Sequence, residues 1–168
     1  LKSYPYYNLH THDVDFDKMK EFLMQIENRA IVLLHACCHN PTGHDLTHKQ
    51  WKELSEVILA KEHFAFFDMA YLGFGEGLEE DSFAVRYFAK QKHQMLVAFS
   101  YAKICGVYAE RVGALTLVCQ NQKERECSES LIKVLIRSNY SNPPKHGAMI
   151  VGKLLSDEIL RKKWSQEL

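Results

Sequence analysis

The segment Met95-Leu96-Val97-Ala98-Phe99-Ser100-Tyr101-Ala102-Lys103 joins a short apolar run to a serine and a lysine. An apolar run of this length, bounded by polar residues, is typical of a buried strand. We therefore predict a strand over residues 94–100, with Lys103 about one turn beyond its carboxyl end.

Similar apolar runs and amphipathic helices alternate along the rest of the chain. Further strands are predicted at 30–36, 64–68 and 112–119. Helices are predicted at 15–28, after Thr47, at 81–91, at 121–138, up to residue 155, and from a cap at Ser156 to the end. Thr47 and Gln50 have the spacing of a capping box. The alternation predicts an α/β fold with a mostly parallel sheet.

Composition and charge limit the classes of protein to which this sequence can belong. The 168 residues carry 21 basic and 21 acidic side chains, so no basic excess points to nucleic acid or to an anionic membrane. No apolar run approaches the ~20 residues that span a bilayer. Five cysteines, an odd number without framework spacing, predict reduced thiols and a cytoplasmic location. The start at Leu1 and the unterminated last helix are expected of a piece of a longer chain.

Polar side chains follow three of the predicted strands. Asn40 lies just beyond the first, Asp68 ends the second, and Ser100 and Lys103 follow the third. Open α/β sheets bind ligands outside the carboxyl ends of their strands. An amine, an acid and an amide converging there suit a pyridoxal 5'-phosphate site.

Each candidate residue has a chemical role in such a site. Lys103 would form the Schiff base and shuttle a proton, and Asp68 would pair with the pyridinium nitrogen. Tyr71 and Asn40 would donate hydrogen bonds to the ring oxygen. The phosphate would be bound by Arg111 and by the Ser100 hydroxyl.

Two other kinds of site are weaker alternatives. His35, Cys37, Cys38 and His39 could be metal ligands, but side chains alternate along extended chain and would scatter the thiols, so no metal is predicted. Ser100-x-x-Lys103 also fits the nucleophile motif of penicillin-binding proteins. That class requires S-D-N and K-T-G elements, which the sequence lacks.

The same residues resemble the class I pyridoxal-phosphate aminotransferases of the aspartate aminotransferase family. The matching motifs are His35-Ala36-Cys37-Cys38-His39-Asn40-Pro41-Thr42-Gly43, Phe66-Phe67-Asp68-Met69-Ala70-Tyr71-Leu72-Gly73-Phe74, Val85-Arg86-Tyr87-Phe88, Ser100-x-x-Lys103 and Glu110-Arg111-Val112-Gly113. The resemblance implies the three-layer large domain of this fold. Residues 1–168 would be its central portion, without the phosphate loop that precedes it and the small domain that follows it.

The resemblance also implies a reaction, a substrate class and an assembly. The family assigns the roles given above and adds substrate binding by Asn40. Arg137 matches an arginine that binds the distal carboxylate of the substrate from the partner subunit. The expected protein is therefore a homodimeric transaminase that moves the amino group of aspartate, or a related dicarboxylic amino acid, to a 2-oxo acid such as 2-oxoglutarate. No nucleic acid or membrane partner is implied.

Several residues around Lys103 depart from the family pattern. Ala102 replaces a serine that binds phosphate, Ile104 and Cys105 replace an Asn-Phe pair, and Ala109 replaces an asparagine. With these changes the chain resembles a divergent paralogue within the family, similar to a divergent cytoplasmic aspartate aminotransferase of vertebrates. The alternative is a non-catalytic paralogue that keeps the fold and has an interaction or regulatory role. Residues 1–168 alone are expected to be inactive.

Overall fold

The structure, a computed structural model, describes residues 1–168. Its strands are β1 (Tyr7–Asn8), β2 (Asp13–Val14), β3 (Ile31–His35), β4 (Phe64–Met69), β5 (Met95–Ser100) and β6 (Gly113–Val118). Its helices are α1 (Phe16–Gln25), α2 (His48–Ala60), α3 (Leu78–Asp81), α4 (Phe83–Lys90), α5 (Tyr101–Ile104), α6 (Gln122–Asn139), α7 (His146–Ser156) and α8 (Glu158–Glu167). A 3-10 turn covers Tyr108–Glu110.

The main sheet has four strands in the order β3-β4-β5-β6. The pairs β3-β4 and β4-β5 are parallel, which confirms the mixed α/β fold with a mostly parallel sheet. Strand β6 instead runs antiparallel to β5. The segment between them holds only the four-residue α5 and the 3-10 turn. A helix that short rises about 6 Å and cannot return the chain to the start of a six-residue strand.

One face of the sheet forms the hydrophobic core. Alternate strand residues such as Leu34, Phe67 and Met95 are almost fully buried there, beneath helices α1, α2 and α4. The rings of Phe67 and Phe88 meet edge to face, with centroids 5.1 Å apart. Because edge-to-face contact is a favoured aromatic geometry, this pair fixes α4 against the centre of the sheet.

The opposite face of the sheet is more open than predicted. Ile31 and Leu33 in β3 are 72% and 49% exposed, whereas Val32 and Leu34 are buried. The interpretation of this apolar run as a fully buried strand is therefore wrong, because the core helices cover only one of its faces.

The helix caps show how the local sequence sets the boundaries. The Thr47–Gln50 capping box at the start of α2 is confirmed, with the Gln50 backbone N–H 3.2 Å from the Thr47 hydroxyl oxygen. The predicted Ser156 cap of the last helix is wrong. Its cap is Asp157, whose carboxylate accepts hydrogen bonds from the backbone N–H groups of Ile159 and Leu160.

None of the eight helices combines the length and apolar character needed to cross a bilayer.

Candidate functional site

The predicted site residues that follow β3, β4 and β5 lie at one edge of the sheet. Asp68 is in register with His35 of β3 and with Ala98 of β5. Asn40 follows β3 in the next loop, and Ser100 is the last residue of β5. Because parallel strands end on the same side, the edge predicted from the sequence is the one the structure forms.

Lys103 and Tyr71 meet at this edge. The Lys103 ammonium lies 4.8 Å from the centroid of the Tyr71 ring, within the range of a cation–π contact. Lys103 is in α5, one turn beyond β5, and Tyr71 is in the loop that follows β4. Neither the amine nor the phenol hydroxyl forms a hydrogen bond or ion pair in the chain. Both groups are thus held together but left available.

Asp68 supplies a carboxylate without a partner. Its backbone carbonyl accepts a hydrogen bond from the Ala36 N–H at 3.0 Å, while its side chain forms no hydrogen bond and no ion pair. The residue is half-buried. A partly buried carboxylate is more stable when it accepts a hydrogen bond from a donor, preferably a charged one. The Asp68 side chain can therefore receive such a donor.

The antiparallel direction of β6 brings Arg111 to the same edge. Gly113 at the start of β6 pairs with Ser100 at the end of β5, and the Tyr101 N–H donates to the Val112 carbonyl at 3.1 Å. Arg111 adopts a left-handed backbone with φ of 52°. Its exposed guanidinium donates only to the Tyr108 carbonyl, at 3.1 Å, and pairs with no carboxylate.

Ser100 has a second function as a helix cap. Its hydroxyl oxygen accepts a hydrogen bond from the Ala102 backbone N–H at 3.2 Å. The hydroxyl proton is not used in that bond, so Ser100 remains able to donate to an anion.

Asn40 and Arg137 complete the predicted set. Asn40 is exposed, its backbone N–H lies 3.2 Å from His35 Nδ1, and its side-chain amide has no partner within the chain. Arg137 is exposed on α6, and its guanidinium donates to the Ser141 hydroxyl. Arg137 forms no hydrogen bond or ion pair with the other predicted site residues. Its one side-chain partner in the chain is thus Ser141.

Asp81 is a positioning residue that the sequence analysis missed. Its buried carboxylate accepts hydrogen bonds from the backbone N–H groups of Gly73, Gly75 and Glu76 at 2.7, 3.0 and 2.9 Å. These bonds fix the loop that begins with Tyr71. In the sequence, Asp81 stands only at the start of a predicted helix. The glycines of the loop are the one signal that its N–H groups would need an acceptor.

The prediction that the thiols of Cys37 and Cys38 would be scattered is wrong. Cys38 has a positive φ of 49°, and its N–H donates to an Asp45 carboxylate oxygen at 2.6 Å. This turn brings both thiols and the Asp81 carboxylate within 4.8 Å of one another. Burial, together with the nearby negative charge of Asp81, raises the pKa of both thiols.

The residues around Lys103 that depart from the family pattern differ in how deeply they are buried. Ala102 and Ile104 are each 5% exposed, so their side chains pack inside the domain. Cys105 is half-buried, and burial raises the pKa of its thiol. The thiol two residues after Lys103 in the sequence is therefore a packed, protonated group rather than a nucleophile.

Comparison with known proteins gives consistent results along the whole chain. The family model described as aminotransferase class I and II matches residues 1–168. Aspartate aminotransferase of Escherichia coli (strain K12) is 45% identical over 168 residues, which cover all of this chain and 42% of that protein. Mitochondrial aspartate aminotransferase of Gallus gallus is 44% identical over 169 residues, covering 100% of this chain and 40% of that protein.

A solved structure shows the same fold. The aromatic-amino-acid aminotransferase of Burkholderia pseudomallei, described as covalently bound to pyridoxal phosphate, matches with a TM-score of 0.97 and 46% identity. The match covers 99% of this chain and 42% of that chain. This chain thus spans less than half the length of the relatives it matches.

Proposed function

Because the chain belongs to the class I and II aminotransferase family, we propose that the protein is a transaminase. It would transfer the amino group of aspartate, or a related dicarboxylic amino acid, to a 2-oxo acid such as 2-oxoglutarate. The main observation in support of this proposal is that the Lys103 amine lies beside the Tyr71 ring, at the sheet edge where Asp68 has an unpaired carboxylate. On this proposal, residues 1–168 form the central portion of the large, cofactor-binding domain.

The chemical groups of the candidate site fit pyridoxal 5'-phosphate. An amine can bind its aldehyde, a carboxylate its ring nitrogen, a phenol its ring oxygen, and a guanidinium its phosphate. When bound, this cofactor supplies an electron sink for the substrate α-carbon. Asp68 would hold a proton on the ring nitrogen, because an ionised carboxylate stabilises a cationic N–H beside it.

Lys103 would have two tasks. Its Nζ would hold the cofactor covalently and, once released, would take the proton from the substrate α-carbon. Both tasks require an amine without a competing partner, and Lys103 forms no ion pair in the chain. The contact with Tyr71 supports this role, since it keeps the amine near the phenol that would donate to the ring oxygen together with the Asn40 amide.

Phosphate binding would rest on Arg111 and Ser100. The Arg111 guanidinium can donate two parallel hydrogen bonds to a phosphate, and the free hydroxyl proton of Ser100 can add a third. Ala102 offers no side-chain donor. Loss of one hydrogen bond to a charged group costs about 1.5–3 kcal/mol, so phosphate would bind more weakly here than in relatives with a serine at that position.

Arg137 would select dicarboxylic substrates from the partner subunit of a homodimer. Its guanidinium is exposed and pairs with no carboxylate of this chain, which supports action on another subunit. Exposed apolar residues share its helix: Leu131, Val134 and Leu135 are 66%, 62% and 65% exposed. An apolar helix surface of this kind favours burial against another chain.

A cytoplasmic location is part of the proposal. All five cysteines are free thiols, a state typical of a reducing compartment. Imaging of the tagged full-length protein in cells tests it, and enrichment in mitochondria would contradict it.

Two measurements on the full-length protein test the activity. Borohydride reduction of the cofactor-loaded protein, followed by peptide mapping, should place the pyridoxyl group on Lys103. Turnover should occur with aspartate and 2-oxoglutarate. A label on another lysine would contradict the site, whereas a label on Lys103 without turnover of any amino acid would favour the non-catalytic alternative.

A further inference from the structure

A cavity of about 290 Å³ lies next to the carboxyl end of β3, the end of the strand that faces the candidate site. Cys37 and Asp81 form part of its wall, and the carboxylates of Asp45, Glu76 and Glu80 line it as well. Four acidic side chains line this cavity, and only Glu80 has a basic neighbour there, His48, with Nε2 at 3.3 Å from its carboxylate. Such an excess of carboxylates favours cations.

Three metal-ligating groups cluster here, of which Cys37 and Asp81 line the cavity and Cys38 lies beside them. The two sulfur atoms of Cys37 and Cys38 and a carboxylate oxygen of Asp81 all lie within 4.8 Å of one another. In a tetrahedral zinc site with metal–sulfur bonds of about 2.3 Å, ligand atoms are about 3.8 Å apart. The observed spacing therefore needs only a small contraction to close around one ion.

The backbone holds these ligands in place. Both carboxylate oxygens of Asp45 bind the turn of the vicinal cysteines, accepting from the N–H groups of Cys38 and His39 at 2.6 and 2.7 Å. Asp81 is fixed by the three loop N–H groups described above. The cysteine turn is held by the Asp45 carboxylate, and the Asp81 carboxylate is held by the loop N–H groups. Both ligand segments are therefore fixed in position.

The Asp81 carboxylate has no cationic partner in the chain and keeps an unused hydrogen-bond acceptor position. The side chain is 6% exposed, yet no lysine, arginine or histidine pairs with it. An ionised carboxylate has about four acceptor positions, and the loop uses three of them. A buried carboxylate without a cationic partner is costly, and a bound cation would offset that cost.

We propose that Cys37, Cys38 and Asp81 form a binding site for a thiophilic divalent cation of the zinc and cadmium class. Binding converts two thiols to thiolates: two sulfur–metal bonds form, two S–H bonds break, and two protons are released to solvent. Asp81 supplies the third ligand, and water takes the fourth position. Sulfur ligands exclude magnesium and calcium, which prefer six or more oxygen atoms.

Cadmium titration of the metal-free, full-length protein tests the site. The ultraviolet thiolate-to-cadmium charge-transfer band should saturate at one equivalent, with two protons released per ion in a weakly buffered solution. An excess of magnesium should leave the band unchanged. Zinc should compete for the same equivalent.

Matched cysteine variants locate the ligands. Cys37→Ser and Cys38→Ser should each weaken cadmium binding at least tenfold, whereas Cys119→Ser and Cys127→Ser, which remove thiols outside the cluster, should bind as the parent does. If Cys37→Ser does not fold, Cys38→Ala at the less buried position decides the question. Unchanged binding in the Cys38 variants, or loss of the band in a control variant, would overturn the proposal.

Discussion

Acidification should remove a part of the folding free energy that depends on His93. The imidazole is 3% exposed, its Nε2 lies 2.7 Å from the Ser55 hydroxyl oxygen, and its ring stacks on Phe88 with centroids 4.3 Å apart. Burial lowers the pKa of His93 from 6.5 to about 4. The folded state therefore favours the neutral ring, while the unfolded chain takes up a proton at a higher pH.

The sign and size of the effect follow from this difference. A lowered folded-state pKa gives stability that is fully present above pH 6.5 and is lost as the pH falls towards about 4. At about 1.36 kcal/mol per pH unit, the full loss is at most about 3 kcal/mol. By about pH 5.5 it should reach about 1 kcal/mol.

Urea denaturation of the purified protein, measured at intervals between about pH 7.5 and about pH 4.5, gives the free energy of unfolding directly. Carboxylates titrate in the same range, so the informative quantity is the difference between the parent and His93→Gln, in which position 93 cannot titrate. That difference should change with pH, because only the parent has a titrating group at position 93. Parallel curves for the parent and His93→Gln would refute the reasoning.

Three further outcomes are expected. Asp68→Ala should lower the transamination rate by orders of magnitude without changing the circular dichroism spectrum, and normal turnover would remove Asp68 from the site. Arg137→Ala should lose several kcal/mol in kcat/KM for aspartate but little for alanine, and hybrids with Lys103→Ala subunits should recover activity; equal losses for both substrates would contradict the assignment. Thr47→Ala should lower the free energy of unfolding by about 1 kcal/mol in urea, because the capping box of α2 is lost, and an unchanged midpoint would show that the cap contributes nothing.

Local sequence signals were sufficient for most element boundaries. The Thr47 cap marks the start of α2. The helix predicted from residue 121 agrees with α6, where the Asn121 side chain caps the helix by accepting a hydrogen bond from the Glu124 N–H; both caps depend on residues within one turn. Strand direction is different. The residues of β6 have the same pattern whether the strand runs parallel or antiparallel, and only the short connection from Ser100 to Gly113 decides between them.

The candidate site was predictable where its residues follow strands. Asn40, Asp68 and Ser100 were expected at one edge because parallel strands end together. The position of Asp81 was not predictable. The residues next to it in the sequence give no sign that its carboxylate accepts hydrogen bonds from three backbone N–H groups of a loop. The approach of the two thiols was also missed, because it depends on a positive φ at Cys38 that its side chain does not encode.

The Asp81 carboxylate also restricts how this chain can vary over evolutionary time. A Cβ atom at Gly75 would lie 2.6 Å from Asp81 Oδ1, so any larger residue there would displace the group that holds the loop. Replacement of Asp81 would in turn leave three backbone N–H groups of the loop after Tyr71 without their acceptor. Substitutions at Gly75 and Asp81 should therefore occur together among relatives of this chain, because a change at either position alone disturbs the same contact.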